Sequence, residues 1–124
     1  MKDHLSREEL TAFLTPFSPG AQQIALATRD LLLDLFPDAI ETAEGRELGY
    51  GFDRGYKGLV FTISLKKSGV NLGVVGGASL VDPDGLLRGT GKLHRHVEIL
   101  ESHAVEDPRL RALLGRALTG RRSK

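Results

Sequence analysis

The spacing of apolar residues changes period twice along this chain. Near the start, Leu10, Phe13 and Leu14 recur at helical spacing until Pro16, and Ser6 followed by Glu9 forms a capping box, so a short first helix is predicted. In SPGAQQIALATRDLLLDLFPD, Ser18 caps, Pro19 fits the first helical position, and Ile24, Ala27, Leu31 and Leu35 form one stripe. A longer helix is therefore expected over Pro19 to Phe36, stopped by Pro37.

Beyond it the period falls to two. In RELGYGF, Leu48, Tyr50 and Phe52 alternate with Glu47, Gly49 and Gly51; in GLVFTISL, Leu59, Phe61, Ile63 and Leu65 alternate with Val60, Thr62 and Ser64. Each reads as a strand with one buried face. KKSG reads as a hairpin turn, Val70, Leu72 and Val74 as a third strand, and the short links imply an antiparallel meander. GGASLVDPDGLLRGTGK is expected to form a long ordered loop with a type I turn at Asp82-Pro83-Asp84-Gly85. From Leu93 the alternation returns, with Leu93, Arg95, Val97 and Ile99 on one face and His94, His96 and Glu98 on the other. Asp107 and Pro108 then open a helix whose Leu110, Leu113, Leu114, Ala117 and Leu118 form its apolar side, and Gly120 precedes a basic tail, RRSK. The switch of period from helix to strand and back predicts one α+β domain spanning residues 1–124, with an antiparallel sheet of about four to five strands packed by N-terminal and C-terminal helices.

Composition narrows the functions open to such a domain. Seventeen Lys and Arg against sixteen Asp and Glu leave a formal net charge of +1, which offers no global field for nucleic acid or an anionic membrane. Neither is expected as a partner. The absence of Cys removes thiolate catalysis, Cys-type zinc sites and iron-sulfur ligation. No apolar run approaches the roughly 20 residues of a membrane span or the length of a signal peptide, so a cytoplasmic protein is expected, as monomer or homodimer.

Candidate chemistry concentrates between Asp82 and Glu98. Gly89-Thr90-Gly91-Lys92 resembles part of a phosphate loop, whose exposed amides and lysine cradle oxygens. A nucleotide-binding P-loop, however, needs glycine where Leu86 stands and a hydroxyl residue where Leu93 stands, and Gly73, Gly76 and Gly77 do not have the spacing of a dinucleotide fingerprint. The simpler expectation is that Gly89 and Gly91 allow positive φ in a tight turn feeding a strand, with Lys92, Arg95 and the turn's amides available to a small anion. His94 and His96, two apart on a predicted strand, share a face at a spacing metal sites use. Glu98 continues the row, yet at about 3.3 Å per residue it lies roughly 13 Å from His94, so a third ligand such as His103 would have to fold back. Tyr50 and Tyr56 are expected as a core or sheet-edge pair, and Ser79 and Thr90 have no recognisable base partner.

The run VNLGVVGGASLVDPDGLLRGTGKLHRHV, from Val70 to Val97, resembles the signature of the YdhG-like domain family of small bacterial proteins of unassigned function. The likeness rests on the strand ending in Leu72-Gly73, the Asp82-Pro83-Asp84-Gly85 turn, Gly89-Thr90-Gly91-Lys92 and the Arg95-His96 pair. Tyr50-Gly51 is followed here by Phe52 and Asp53, where many members carry a proline. The resemblance implies an α+β fold and supplies no catalytic set. Some members are described as frataxin-like iron chaperones, and that analogy would use Asp82 and Asp84 as hard oxygen donors beside His94 and His96, although both carboxylates equally suit turn hydrogen bonding.

No catalytic residue is assigned, and the expected function is a non-enzymatic binding domain without a cofactor, taking a small anionic ligand or a protein partner through Gly89, Thr90, Gly91, Lys92, Arg95 and His96. The alternatives are a metal-handling chaperone with weakly bound iron, and an enzyme whose residues converge only in three dimensions. The first requires a concave site at the loop and sheet, and the last a titratable group of perturbed pKa inside it.

Overall fold

The capping residues act as their chemistry dictates. Ser6 Oγ accepts from the Glu9 amide at 3.1 Å and Glu9 Oε1 accepts from the Ser6 amide at 2.8 Å, which starts α1 over Arg7–Leu14. Ser18 Oγ accepts from the Ala21 amide at 3.2 Å and Pro19 takes the first position of α2, Pro19–Leu35, with Phe36 as its C-cap. These elements belong to a computed structural model that describes residues 3–122.

Five strands follow: β1 Ile40–Glu44, β2 Glu47–Gly51, β3 Leu59–Lys66, β4 Gly69–Val74 and β5 Arg95–Ile99. They form one antiparallel sheet in the order β1-β2-β3-β4-β5, and α3, Pro108–Arg122, closes the chain. The protein is thus an α+β domain with a meander sheet packed by N-terminal and C-terminal helices. Short 3-10 turns at Tyr56–Gly58, Gly77–Ser79 and Ser102–Glu106 join the larger elements. Among the described residues, no helix is long and apolar enough to cross a membrane.

One face of the sheet meets α2 and α3. Leu48 and Tyr50 of β2, Phe61, Ile63 and Leu65 of β3, Val70, Leu72 and Val74 of β4, and Val97 and Ile99 of β5 are buried there against Leu31, Leu32, Leu113 and Leu114. Burying each such side chain contributes about 1.5–3 kcal/mol, so this face sets the strand register.

Several expectations need correction. β1 carries no clear alternation and went unassigned; its edge is covered by the N-terminal segment, where the Glu41 amide donates to the Asp3 carbonyl at 2.7 Å. Phe52 lies beyond β2 and is half-exposed, its ring 5.0 Å from that of Phe36. Leu93 lies before β5 and is 58% exposed, so it does not share the buried face of Val97 and Ile99. Gly120 does not end the last helix. Arg121 donates to the carbonyls of Leu59 and Lys57 at 2.6 and 2.9 Å, and Arg122 bonds Asp38 at 2.8 Å, so tertiary contacts hold the final turn that local propensity would release. Ser123 and Lys124 of the basic tail lie outside the described residues.

One charged cluster lies under the sheet edge. Glu41 is 2% exposed, and its carboxylate accepts from Arg29 Nε and Nη2 at 2.6 and 2.9 Å, from Tyr50 Oη at 2.6 Å and from the Leu5 amide at 2.9 Å. Burial alone would raise the Glu41 carboxyl, but those four bonds outweigh it and hold it below the usual glutamate range. Burial, then the adjacent Glu41 charge, pushes the Tyr50 hydroxyl well above its ordinary value. This arrangement locks β1 and β2 to α2.

Candidate ligand-binding trough

The second sheet face is polar because β3 and β4 alternate. Phe61, Ile63 and Leu65 point to the helices, which sends Thr62, Ser64 and Lys66 to the other side, and Asn71 and Gly73 follow on β4. Strand pairing aligns these residues in two rows: Thr42, Gly49, Thr62, Gly73 and His96, then Glu44, Glu47, Ser64, Asn71 and Glu98. The first row is a trough because glycine stands on both sides of Thr62. A Cβ on Gly73 would overlap Thr62 Oγ1, so the close approach of that hydroxyl requires glycine. A concavity of about 240 Å³ results, lined by Thr62, Ser64, Asn71, Gly73, His94, Arg95 and His96.

The long loop runs along the outer edge of β5 and meets this trough at His96. The Asp82-Pro83-Asp84-Gly85 turn forms as expected, with the Gly85 amide donating to the Asp82 carbonyl at 3.2 Å. Both Asp82 carboxylate oxygens accept from backbone, from Leu86 N at 3.0 Å and Leu87 N at 2.9 Å, so the side chain aims the chain back toward β5. Arg88 then pairs with His96 on the outer edge of β5, amide to carbonyl at 2.7 and 3.0 Å. Asp84 is exposed, remote in role from the trough.

Gly89 adopts φ +111°, which only glycine tolerates, and lies against the His96 ring and the Arg95 stem. Gly91, by contrast, has no positive φ, contrary to expectation; its backbone follows an ordinary path and the single glycine at 89 suffices to turn the loop. Thr90, Gly91 and Lys92 are exposed, and among the described residues the amides of Gly89, Thr90, Gly91 and Lys92 donate to no protein acceptor. Arg95 shares the buried face through its register with Val74, yet its guanidinium reaches the margin, where Nη1 donates to the His94 carbonyl at 3.1 Å.

The histidines behave differently from each other. His94 precedes β5, and its Nδ1 accepts from the Gly76 amide at 3.0 Å, which assigns the neutral ring's proton to Nε2. Nε2 then donates to Tyr56 Oη at 2.6 Å. Both nitrogens of His94 are thereby engaged, and Tyr56, 66% exposed in its 3-10 turn, is no partner of buried Tyr50. The His96 ring forms no hydrogen bond among the described residues. A metal at His94 or Asp82 would displace an internal bond, and among the described residues no three His, Asp or Glu side chains gather into a ligand set. His103 lines a separate concavity with Ala27, Asp30 and Leu31 of α2 and lies 3.7 Å from Glu101. Ser79 Oγ donates to the Gly76 carbonyl at 3.2 Å and has no base beside it.

Thr62, Ser64 and Asn71 carry no motif that marks them as site residues, although the polar half of the alternation in FTISLK and VNLG already marks a solvent-side row. Ser64 Oγ donates to Glu47 at 2.7 Å, and Lys66 pairs with Glu98. The hydrogen bond from Lys66 holds the Glu98 carboxyl below its ordinary range. No protein family, curated protein or solved structure matches this chain.

Proposed function

We propose that this chain is a YdhG-like binding domain that performs no catalysis and holds a small anion where the Gly89 to Lys92 loop meets His96. The observation that carries this reading is the set of amides from Gly89 to Lys92 that donate to no acceptor among the described residues, in a loop whose Gly89 packs on the His96 ring and the Arg95 stem. Free amides and nearby cations supply what an oxyanion requires, and they act locally in a chain whose overall charge is nearly balanced. The resemblance in Gly89-Thr90-Gly91-Lys92 and Arg95-His96 falls on the same residues.

The test is a titration with inorganic phosphate followed by amide NMR. Resonances of Gly89, Thr90, Gly91, Lys92 and the His96 ring should shift together. Lys92→Ala should weaken the interaction by up to about fivefold, the equivalent of the ~1 kcal/mol available to an exposed charge pair, while leaving the melting temperature unchanged. Shifts confined to other surfaces, or their absence, would remove the proposal.

A further inference from the structure

The trough floor holds a second, unanswered demand. Asn71 Oδ1 is buried and has no hydrogen-bond partner among the described residues. A buried carbonyl oxygen without a donor is destabilising, and folded proteins seldom retain one. Its nearest donors are turned elsewhere in the structure. The Ser64 hydroxyl is committed to Glu47 at 2.7 Å, and the Lys66 ammonium to Glu98. Thr62 Oγ1 makes no hydrogen bond among the described residues; it pairs with Gly73 and so stands diagonally from Asn71 in the same concavity, where it can both accept and donate.

From these positions we infer that the anion bound at the loop carries a hydroxyl on a short carbon chain, and that Asn71 and Thr62 form the subsite that receives this hydroxyl. The proposal rests on the anion-binding reading above. It adds a direction and a length. Gly73 pairs with His96, against which Gly89 packs, and Asn71 pairs with Glu98 two residues further along the strand. That step is roughly 7 Å along the strand at about 3.3 Å per residue, and the crossing from β5 to β4 adds about 4.8 Å sideways, so the diagonal is about 8 Å, which a three-carbon chain and one hydrogen bond span. A concavity of about 240 Å³ has room for a molecule of that size. The hydroxyl donates to Asn71 Oδ1 and accepts from Thr62 Oγ1, so both floor groups gain a partner.

Glycerol 3-phosphate and propyl phosphate have the same chain length and differ in their hydroxyls, so their dissociation constants, measured by calorimetry beside inorganic phosphate, isolate the subsite. Glycerate and propanoate repeat the comparison with a carboxylate head and show which anion the loop takes. The hydroxylated member of at least one pair should bind about tenfold tighter, the ratio expected for one well-made hydrogen bond to a buried acceptor. Asn71→Val, which places a β-branched residue in mid-strand and removes the orphaned oxygen, should melt no lower than the parent and yet bring that ratio close to one. Equal affinity within both pairs, with phosphate still bound at the loop, would overturn the hydroxyl subsite and leave the anion site standing. A preference that survives Asn71→Val would also overturn it. Failure of all five anions to bind would remove the anion site and this inference together.

Discussion

Glu41→Gln is the substitution whose cost follows most directly from the structure. Each carboxylate oxygen of Glu41 accepts two donors: Oε2 takes Arg29 Nε and Tyr50 Oη, and Oε1 takes Arg29 Nη2 and the Leu5 amide. Glutamine keeps the shape but replaces one oxygen with an amino group, which leaves one Arg29 N–H without an acceptor whichever way it turns, together with the Leu5 amide in one orientation and with the Tyr50 bond reversed in the other. The orphaned guanidinium belongs to a side chain only 16% exposed. Charge-assisted bonds contribute about 1.5–3 kcal/mol each, and removing one partner of a buried pair costs about 3–5 kcal/mol, so we expect a loss near 3–5 kcal/mol. For a domain of this size that corresponds to a drop in melting temperature of roughly 12–20 °C. Urea and thermal melts followed by circular dichroism measure it. Because the cost lies in an orphaned cation, Arg29→Met added to Glu41→Gln should lower stability little further, with a coupling of at least about 2 kcal/mol in the double-mutant cycle. A single-mutant loss below about 1 kcal/mol, or additive effects of the two substitutions, would refute this account.

Gly89→Ala, forced into φ +111°, should cost about 1–3 kcal/mol in a denaturant melt, whereas Gly91→Ala should remain within about 0.5 kcal/mol; equal effects would contradict the turn geometry. Stability should fall on acidification. Glu41 and Asp38 are held below their ordinary values, Glu41 by its bonds against burial and Asp38 by Arg122, so each contributes stability above the unfolded carboxylate range that is lost as pH falls through the folded value. The decline should begin below about pH 4.5 and be shallower in Glu41→Gln, as thermal melts across a pH series would show.

The helix-facing half of the fold was legible because burial imposes a period. Leu48, Tyr50, Phe61, Ile63, Leu72 and Val97 had to share a face, and a one-residue slip in any strand would have turned that strand's share of them to solvent. β1 escaped because its inward position is Glu41, a carboxylate made compatible with burial by Arg29 in a helix twelve residues away, by Tyr50 of β2 and by the Leu5 amide. Local hydropathy cannot register a partner supplied from another element. The same reasoning explains Leu93. Its alternation with Arg95 continued past the point where the Ala78 amide takes the Leu93 carbonyl at 2.9 Å and the chain leaves the sheet. The loop half of the candidate site was legible through Gly89, Lys92 and His96, whereas its floor was hidden. Thr62 and Asn71 are unremarkable polar residues until pairing sets them one row apart beside Gly73.

The charges around the trough also give it a direction. Arg88, Lys92 and Arg95 surround the loop end, while Glu44, Glu47 and Glu98 stand in the row that contains Asn71. Lys66 neutralises Glu98, and Glu47 and Glu44 stand three and four strands away from β5, so the net negative charge of this row lies away from an anion at the loop while the row remains one of acceptors. An anionic head therefore lies lowest in energy at the loop, and a hydroxyl, which can donate, lies lowest at the Asn71 row. Reversing that polarity should reverse the preference. Asn71→Lys would place a cation in the row between Glu47 and Glu98, and inorganic phosphate should then perturb this row as well as the loop in an amide NMR titration. If phosphate shifts in Asn71→Lys remain confined to Gly89, Thr90, Gly91 and Lys92, the direction does not arise from the charges of these two rows.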